Sequence, residues 1–196
     1  MPYYLERLKE MHKNGETIVS APILAQHFGY TEIQVRKDLA SVSSVQGKPK
    51  IGFNIPTLIV DIENVLGYQN INKAVIVGCG SLGHAFLGYK GFSEYGCEII
   101  AGFDANPEKL GMFGEKPIFG MNCLKEFCNI ESIKMGVIAV PAIAAQRVCN
   151  QLVDSGVKAI WNFAPIHLIV PEGILVQNEN MAASLAMLFN HLNALN

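Results

Sequence analysis

A glycine-rich turn is the part of this 196-residue sequence with the clearest chemical use. The turn Gly78-Cys79-Gly80-Ser81-Leu82-Gly83 follows the apolar run 73–77 and opens a segment with helical spacing. In such a turn the first glycine lets the chain reverse, the second lets a pyrophosphate approach the backbone, and the third lets helix and strand pack closely. The free N–H groups of the first helical turn then face the phosphates. The pattern predicts a dinucleotide-binding domain at about residues 73–165.

An acidic residue stands where this type of site needs one. Asp104 ends the second apolar run, 97–103, and lies 21 residues after Gly83. A carboxylate there can accept hydrogen bonds from the ribose hydroxyls and would repel a 2′-phosphate, which favours NAD+ or NADH over the phosphorylated forms. Lys109 and Asn106 are close enough in sequence to tolerate additional negative charge. The alternative is a doubly wound sheet whose glycine turn binds nothing.

Two further segments follow buried runs, namely Ala139-Val140-Pro141-Ala142 and Asn162-Phe163-Ala164-Pro165. Ligands in parallel sheets lie outside the carboxyl ends of the strands. We expect the first segment near the adenosine-side ribose and the pyrophosphate, and the second near the nicotinamide. Each proline could instead only end its strand. The residues predicted to bind the cofactor are Gly78, Cys79, Gly80, Ser81, Leu82, Gly83, Asp104, Ala105, Lys109, Ala139, Val140, Pro141, Asn162, Phe163, Ala164 and Pro165.

Alternating apolar strands and helices position this turn. Such alternation predicts an α/β fold of the Rossmann type, with a doubly wound parallel sheet. The predicted strands are 73–77, 97–103, 135–140, 157–162 and 173–177. The predicted helices are 82–95, 124–130, 144–155 and an apolar terminal helix, 182–195.

The first 66 residues show mainly helical spacing of apolar residues, and they predict a winged helix-turn-helix domain. Apolar spacing indicates helices at 3–13 and 20–28, and Thr31 with Gln34 forms a capping box that begins a third helix. The inward face of that third helix is expected to comprise Ile33, Val35 or the stem of Arg36, Leu39 and Val42. Residues 47–53 resemble a basic wing, and 55–66 reads as a linking helix. We therefore expect domains at 1–66 and 67–180, followed by the terminal helix within 181–196.

The composition sets the class of protein. Half of the residues are hydrophobic, 16% are charged and the mean hydropathy is +0.25, which predicts a large subunit interface. Apolar runs are too short to span a membrane and the N-terminus has no secretory pattern, so a cytoplasmic protein is expected. The five cysteines include no CxxC pair and are expected to be free thiols, with a redox or metal-binding role as the alternative. No metal site is predicted.

Charge is divided unevenly along the chain. Residues 1–52 carry seven Lys/Arg against five Asp/Glu, whereas the whole chain has a formal net charge of −2. The basic part coincides with the predicted helix-turn-helix, as expected of a nucleic-acid-binding module.

Catalytic groups are hard to find in this sequence. A dehydrogenase needs a proton donor or acceptor beside the nicotinamide and usually a second domain for its substrate. His84 and His167 are the candidates, but neither has an evident partner carboxylate, and His84 is more typical of a packing residue. No catalytic residue is predicted, and the protein is not expected to be an enzyme.

These features together resemble the redox-sensing transcriptional repressors of the Rex family. The matching segments are Tyr3-Tyr4-Leu5, Gln34-Val35-Arg36-Lys37-Asp38-Leu39, the glycine turn with Val77 before it, Tyr89-Lys90-Gly91-Phe92, Phe103-Asp104 with Pro107-Glu108-Lys109, Ala139–Ala142 and Asn162–Pro165. They span nearly the whole chain. The glycine turn alone is unspecific, whereas the recognition-helix segment and the Asn162–Pro165 segment in this order are specific.

The resemblance implies a homodimer that exchanges its terminal helices, binds double-stranded operator DNA, and releases it when NADH binds. It also implies that Tyr89 belongs to the cofactor site, and that Gln34, Arg36, Lys37 and Ser41 face DNA together with Lys48 and Lys50 of the wing. The family pairs the equivalent of Tyr89 with an aspartate after the last strand, where this chain has Asn180. Two alternatives remain, namely an NAD-binding relative that has lost the DNA switch and a small NAD-dependent oxidoreductase.

Overall fold

The structure is a computed structural model that describes residues 1–45, 47, 51–68 and 70–193. The chain divides into two compact units, residues 1–70 and 71–196. Each has its own hydrophobic core, and the two are described separately. In the part of the chain covered by these ranges, no helix is long and apolar enough to cross a bilayer.

The first unit contains four helices and a two-stranded sheet among its described residues. The elements are α1 (Pro2–Lys13), β1 (Ile18–Val19), α2 (Ala21–Phe28), α3 (Glu32–Val42), β2 (Phe53–Asn54) and α4 (Ile55–Leu66). β1 pairs antiparallel with β2, so the strand that begins at the last residue of the predicted wing is joined to the segment between α1 and α2. Residues 48–50 of the predicted wing, and with them Lys48 and Lys50, lie outside the described residues.

Local sequence signals explain how α3 is placed. α2 ends at Gly29, which has a φ of 67° and therefore a left-handed conformation that glycine adopts without strain. α3 begins at Thr31, whose Oγ1 accepts a hydrogen bond from the Gln34 N–H at 3.3 Å, as half of the predicted capping box requires. Val35 and Leu39 are fully buried, but Ile33 is 69% exposed. The prediction that Ile33 faces inward was therefore wrong, whereas Val35 and Leu39, which were predicted on the same face, do form the buried stripe.

The second unit is built on a seven-stranded sheet with the order β5-β6-β4-β3-β7-β8-β9. All neighbouring strands are parallel except the β5–β6 pair. The predicted Rossmann-type fold is confirmed. The strands are β3 (Asn72–Val77), β4 (Cys97–Asp104), β5 (Gly111–Phe113), β6 (Lys116–Gly120), β7 (Met135–Ile138), β8 (Ala159–Asn162) and β9 (Leu175–Asn178), and the helices are α5 (Ser81–Gly88), α6 (Leu124–Ile130), α7 (Ala142–Asp154) and α8 (Met181–Asn193).

Two details of this unit differ from the sequence prediction. The helix predicted at 82–95 ends at Gly88, because Tyr89 has an extended backbone and a 3-10 turn, Lys90–Tyr95, follows. The antiparallel β5–β6 hairpin was not predicted. β5 is three residues long and none of its residues is buried, so it carries no alternation of buried and exposed residues that a sequence pattern could reveal.

The strand order fixes where a ligand can bind. The chain moves from β3 to β4 and then β6 on one side, and returns to place β7, β8 and β9 on the other side of β3. The carboxyl ends of β3 and β7 therefore flank the point at which the order reverses. In sheets of this kind a crevice opens there and ligands occupy it.

Candidate functional site

The glycine turn lies at this reversal point, and two of its glycines are required by close backbone contacts. Gly78 has a φ of 99°, and a Cβ there would collide with the backbone carbonyl of Ala139 at the end of β7. A Cβ at Gly83 would collide with the carbonyl of Gly78. Gly78 thus lets the turn pass close to the end of β7, and Gly83 lets the start of α5 pack against the turn after β3, which is the packing role predicted for Gly83.

Gly80 has a different role, because its missing side chain leaves space. It has an ordinary φ of −82° and is the N-cap residue of α5, and a Cβ built on it would meet no atom within 4 Å. The space beside it is the cleft that the turn borders. Ser81, Leu82 and Gly83 form the first turn of α5, where backbone N–H groups have no partner within the helix. An anion such as a pyrophosphate fits this arrangement.

Asp104, at the end of β4, is hydrogen-bonded to the backbone of the glycine turn. It is 9% exposed; its Oδ2 accepts a hydrogen bond from the Cys79 N–H at 2.7 Å and its Oδ1 accepts one from the Asn106 N–H at 2.8 Å. The Lys109 ammonium lies 3.3 Å from Oδ2. Burial alone would raise the pKa of this carboxyl, but the two backbone donors and Lys109 outweigh it and hold the pKa below its ordinary value. Asp104 is therefore charged at neutral pH.

The cleft beside the turn has a volume of about 490 Å³ and is bounded by the ends of three parallel strands. Ten of the predicted cofactor residues line it: Gly78, Gly80, Ser81, Leu82, Asp104, Ala105, Lys109, Ala139, Val140 and Pro141. Sequence reasoning missed Met121 and one face of α7, made of Ala144, Arg147, Val148 and Gln151. The signal that could have found them is the helical spacing of those four residues directly after Pro141.

Cys79 and Gly83 belong to the turn but do not line the cleft. The Cys79 side chain is fully buried, and its thiol lies 3.7 Å from the carbonyl oxygen of Phe103. Burial raises the pKa of this thiol to about 11, and the nearby Asp104 charge adds to the effect. The side chain is thus a neutral packing group, and only the backbone of Cys79 takes part in the turn.

The segment Asn162–Pro165 lies apart from this cleft. Asn162 is fully buried, and its Nδ2 donates to Asn178 Oδ1 at 2.8 Å and to the carbonyl oxygen of Ile166 at 2.9 Å. Its Oδ1 accepts from the Ala164 N–H at 3.0 Å. Ala164 is buried and Pro165 is exposed. Asn162 therefore joins β8 to β9 and shapes the following turn.

Two other predicted residues, Tyr89 and Phe163, line a separate aromatic cavity of about 500 Å³. Phe86 and Trp161 stack there with ring centroids 5.6 Å apart, and Glu179 accepts a hydrogen bond from Trp161 Nε1 at 3.1 Å. Glu179 lines the same cavity as Tyr89, whereas the Asn180 side chain accepts a hydrogen bond from the Ala183 N–H and caps α8. The carboxylate that shares a cavity with Tyr89 is therefore that of Glu179.

The two histidines differ in their surroundings. His84 stacks on Phe113 with ring centroids 4.6 Å apart, which is the packing role that was the simpler expectation. His167 is exposed. Over the described residues, no group of three or more His, Cys, Asp or Glu side chains is arranged to hold a metal ion.

In the first unit, α3 presents the predicted DNA-facing residues Gln34, Arg36, Lys37 and Ser41, and all four are exposed. Arg36 also pairs with Glu32 at 3.3 Å. The opposite side of α3 is held by Val35, Leu39 and a 2.9 Å hydrogen bond from the Tyr4 hydroxyl to Asp38. α3 is thus fixed on its inner face, and its outer face is free to contact another molecule.

Comparisons with known proteins agree with both halves of this description. Residues 69–166 match a family described as "CoA binding domain", and residues 1–40 match one described as "Putative DNA-binding protein N-terminus". Redox-sensing transcriptional repressors named Rex are similar over nearly the whole chain. The protein from Bacteroides fragilis is 37% identical over 98% of this chain and 88% of its own length, and that from Treponema denticola is 38% identical over 96% and 90%.

Solved structures extend the similarity to three dimensions. RSP in complex with β-NAD+ and operator DNA matches with a TM-score of 0.92 at 30% identity, covering 98% of this chain and 89% of that one. RSP in complex with β-NADH matches with a TM-score of 0.88 at 30% identity, covering 98% and 90%. The relatives are named as transcriptional repressors, in agreement with the expectation that the chain is not an enzyme. With this identity over this coverage, the chain belongs to the Rex family of redox-sensing transcriptional repressors.

Proposed function

We propose that this protein is an NAD(H)-responsive transcriptional repressor that binds double-stranded operator DNA as a homodimer and releases it when NADH binds. It acts in the cytoplasm, where both the cofactor pool and the DNA are available. The observation that carries the proposal is that one chain combines a cleft beside the glycine turn, at the reversal point of a Rossmann sheet, with a helix α3 whose polar outer face is exposed. Relatives of the same architecture bind NAD+ with operator DNA, and NADH.

The cleft supplies groups suited to each part of the dinucleotide. The pyrophosphate would lie beside Gly80 and the first turn of α5, where the absence of a Cβ leaves space. Asp104 would face the adenosine ribose, and Ala139–Pro141 would border the same half of the molecule. The nicotinamide would extend toward Asn162–Pro165 and Tyr89. NAD(H) is favoured over NADP(H), because Asp104 is charged and already pairs with Lys109, which would otherwise be available for a 2′-phosphate.

The response to the cofactor is a shift between two dimer arrangements. NADH would bind more tightly to the arrangement that cannot hold DNA, and NAD+ would leave the DNA-binding arrangement populated. A ligand shifts such an equilibrium only by its difference in affinity for the two states. On the DNA side, Gln34, Arg36, Lys37 and Ser41 would enter or border the major groove, and Lys48 and Lys50 would contact phosphates or the minor groove.

The test measures binding of the purified protein to the DNA upstream of its own gene, by fluorescence anisotropy, with NAD+ or NADH added. We expect NADH, but not NAD+, to weaken binding by at least about tenfold, or about 1.4 kcal/mol. Gly80→Ala should bind DNA normally but lose the response to NADH, because its methyl group would project into the cleft without disturbing the protein. Gly88→Ala, which makes only ordinary contact with Phe113, is the matched control and should respond as the wild type does.

A second candidate is a Rex-family NAD-binding protein whose DNA binding no longer responds to NADH. The observation that favours it is Asn180, which caps α8 and carries no charge. The same titration separates the candidates. Equal affinity for DNA with NAD+ and NADH, together with measurable NADH binding, would support the second candidate and contradict the first.

A further inference from the structure

The outer face of α3 contains an apolar side chain for which the fold has no use. Ile33 is 69% exposed, although it lies in the first turn of a helix whose inner face is fully buried. An isolated exposed isoleucine is common on protein surfaces and needs no explanation by itself. Ile33, however, lies on the helix that we propose to contact DNA.

The direction in which Ile33 points follows from the buried residues of α3. Val35 and Leu39 are fully buried and define the inward direction. An α-helix turns by about 100° per residue, so Ile33, Lys37 and Ser41 lie within about 40° of the direction opposite to them. All three are exposed. They form a row, here called the outward row, with a spacing of about 6 Å between successive members.

The outward row faces DNA bases if α3 is the recognition helix. Residues in the N-terminal part of a recognition helix contact base edges in the major groove, and Ile33 is the second residue of α3. Isoleucine offers neither a hydrogen-bond donor nor an acceptor. The apolar group that the major groove presents is the C5-methyl of thymine, whereas the exposed edges of guanine, cytosine and adenine carry polar atoms. Covering those atoms with a butyl side chain would leave them without partners, which is unfavourable.

We infer that Ile33 is a specificity-determining residue, which packs on the methyl group of one thymine in each half of the operator. The inference rests on the proposed function, since it requires that α3 enter the major groove. Lys37 and Ser41 would lie further along the same groove, and Gln34 beside the row. Isoleucine is branched at Cβ and therefore has few rotamers, so it presents its methyl groups in one direction at small entropic cost.

The test uses an operator selected from randomised duplexes by the wild-type full-length protein. Each thymine is then replaced in turn by deoxyuridine, symmetrically in both halves, which removes one methyl group and leaves base pairing intact. We expect the affinity of the wild type to fall at one symmetric pair of positions. The expected loss is about fourfold per half-site, because burying one methyl group contributes about that factor to binding. Ile33→Ala should bind the unmodified operator more weakly and show no further loss at that pair.

Two other variants sharpen the result. Ile130→Ala removes an isoleucine of similar exposure (72%) from α6 in the other unit and should keep the wild-type deoxyuridine profile. Ile33→Gln should change the preferred base at the same position to adenine, because glutamine pairs with the N6 and N7 atoms of adenine. All variants replace exposed side chains, and a circular dichroism spectrum and a thermal unfolding transition equal to those of the wild type verify that each is folded.

Three outcomes have distinct meanings. If Ile33→Ala keeps the wild-type sensitivity to deoxyuridine at every position, or if no thymine is sensitive in the wild type, the inference is wrong while the proposed function stands. If the wild type binds no duplex at low salt, with or without NAD+, both are wrong. If sensitivity disappears at one pair of positions in Ile33→Ala alone, the inference is confirmed.

Discussion

Asp104 links the charge of the cofactor site to the shape of the glycine turn. Its two carboxylate oxygens accept hydrogen bonds from the backbone of Cys79, inside the turn, and of Asn106, which follows β4. A carboxylate with two such donors and a nearby ammonium is stabilised in its charged form despite its burial. The residue predicted from sequence as a ribose acceptor therefore also fixes the backbone of the glycine turn, beside which we propose that the pyrophosphate lies.

Asp104→Asn should consequently impair both stability and cofactor binding. Asparagine places an amide group where two backbone N–H groups and Lys109 all need an acceptor. We expect the free energy of unfolding to fall by about 2 kcal/mol, the range for hydrogen bonds to a charged group. NADH affinity should fall by about tenfold, measured by calorimetric titration. Glu98→Gln, which removes an exposed charge from the same strand, should change neither quantity.

The pH dependence of stability gives an independent check on the role of the charge. Because the pKa of Asp104 is lowered in the folded protein, its stabilising contribution is complete above the ordinary carboxyl pKa of about 3.9 and is lost as pH falls through the lower folded value. Denaturant unfolding should thus show a constant difference between wild type and Asp104→Asn at pH 7 and pH 5, narrowing below about pH 4. If the wild type and Asp104→Asn had equal unfolding midpoints at pH 7, the proposed stabilising role of the Asp104 charge would be wrong.

At the scale of single elements, short-range signals in the sequence predicted the helices and strands that carry the site, and long-range contacts decided the rest. Gly29, Thr31 and the apolar run before Gly78 act within a few residues, so α3 and the β3–α5 turn could be predicted. The buried Asn162 side chain joins the turn after β8 to Asn178 of β9, 16 residues further along the chain, and no local pattern could reveal that contact. Its assignment to the cofactor site followed from its place at the carboxyl end of a predicted strand, and in the structure it does not line the cleft beside the glycine turn.

The outer face of α3 yields a prediction about charge. Lys37 lies directly opposite the buried Val35–Leu39 stripe, whereas Arg36 lies to one side and is paired with Glu32. Lys37→Ala should weaken operator binding and reduce the slope of log affinity against log salt concentration by about one per subunit, because one fewer counterion is released. Arg36→Ala should have a smaller effect, since Arg36 would first have to leave Glu32.

Lys125→Ala is the matched control for this measurement, because it removes an exposed lysine of α6 in the other unit. Its salt slope should equal that of the wild type. A wild-type slope for Lys37→Ala as well would mean that the outer face of α3 does not contact DNA, and would contradict the assignment of α3 as the recognition helix.

At the scale of the whole molecule, α8 is an apolar helix that the chain itself does not bury. All thirteen of its residues are exposed, including Leu185, Leu188, Phe189 and Leu192, each more than half exposed. These four share one helical face at the spacing expected of a buried helix. Its first residue, Met181, borders the aromatic cavity of Phe86, Trp161 and Phe163, which is a second apolar surface. Exposed apolar area of this kind marks an interface, in agreement with the proposed homodimer.

Replacing Leu188 by glutamate distinguishes an interface from an exposed helix. If α8 packs against a second copy, Leu188→Glu would bury an unpaired charge and should shift the protein from dimer to monomer at micromolar concentration, measured by sedimentation. Operator affinity should fall with it, because one dimer contacts two half-sites. Ile143→Glu adds the same charge at a 97% exposed position of α7 and should remain dimeric. If both variants sediment as dimers and bind operator equally well, α8 is not the dimer contact. In that case Leu188 is exposed in the dimer as Ile143 is, and a charge at either position costs little free energy.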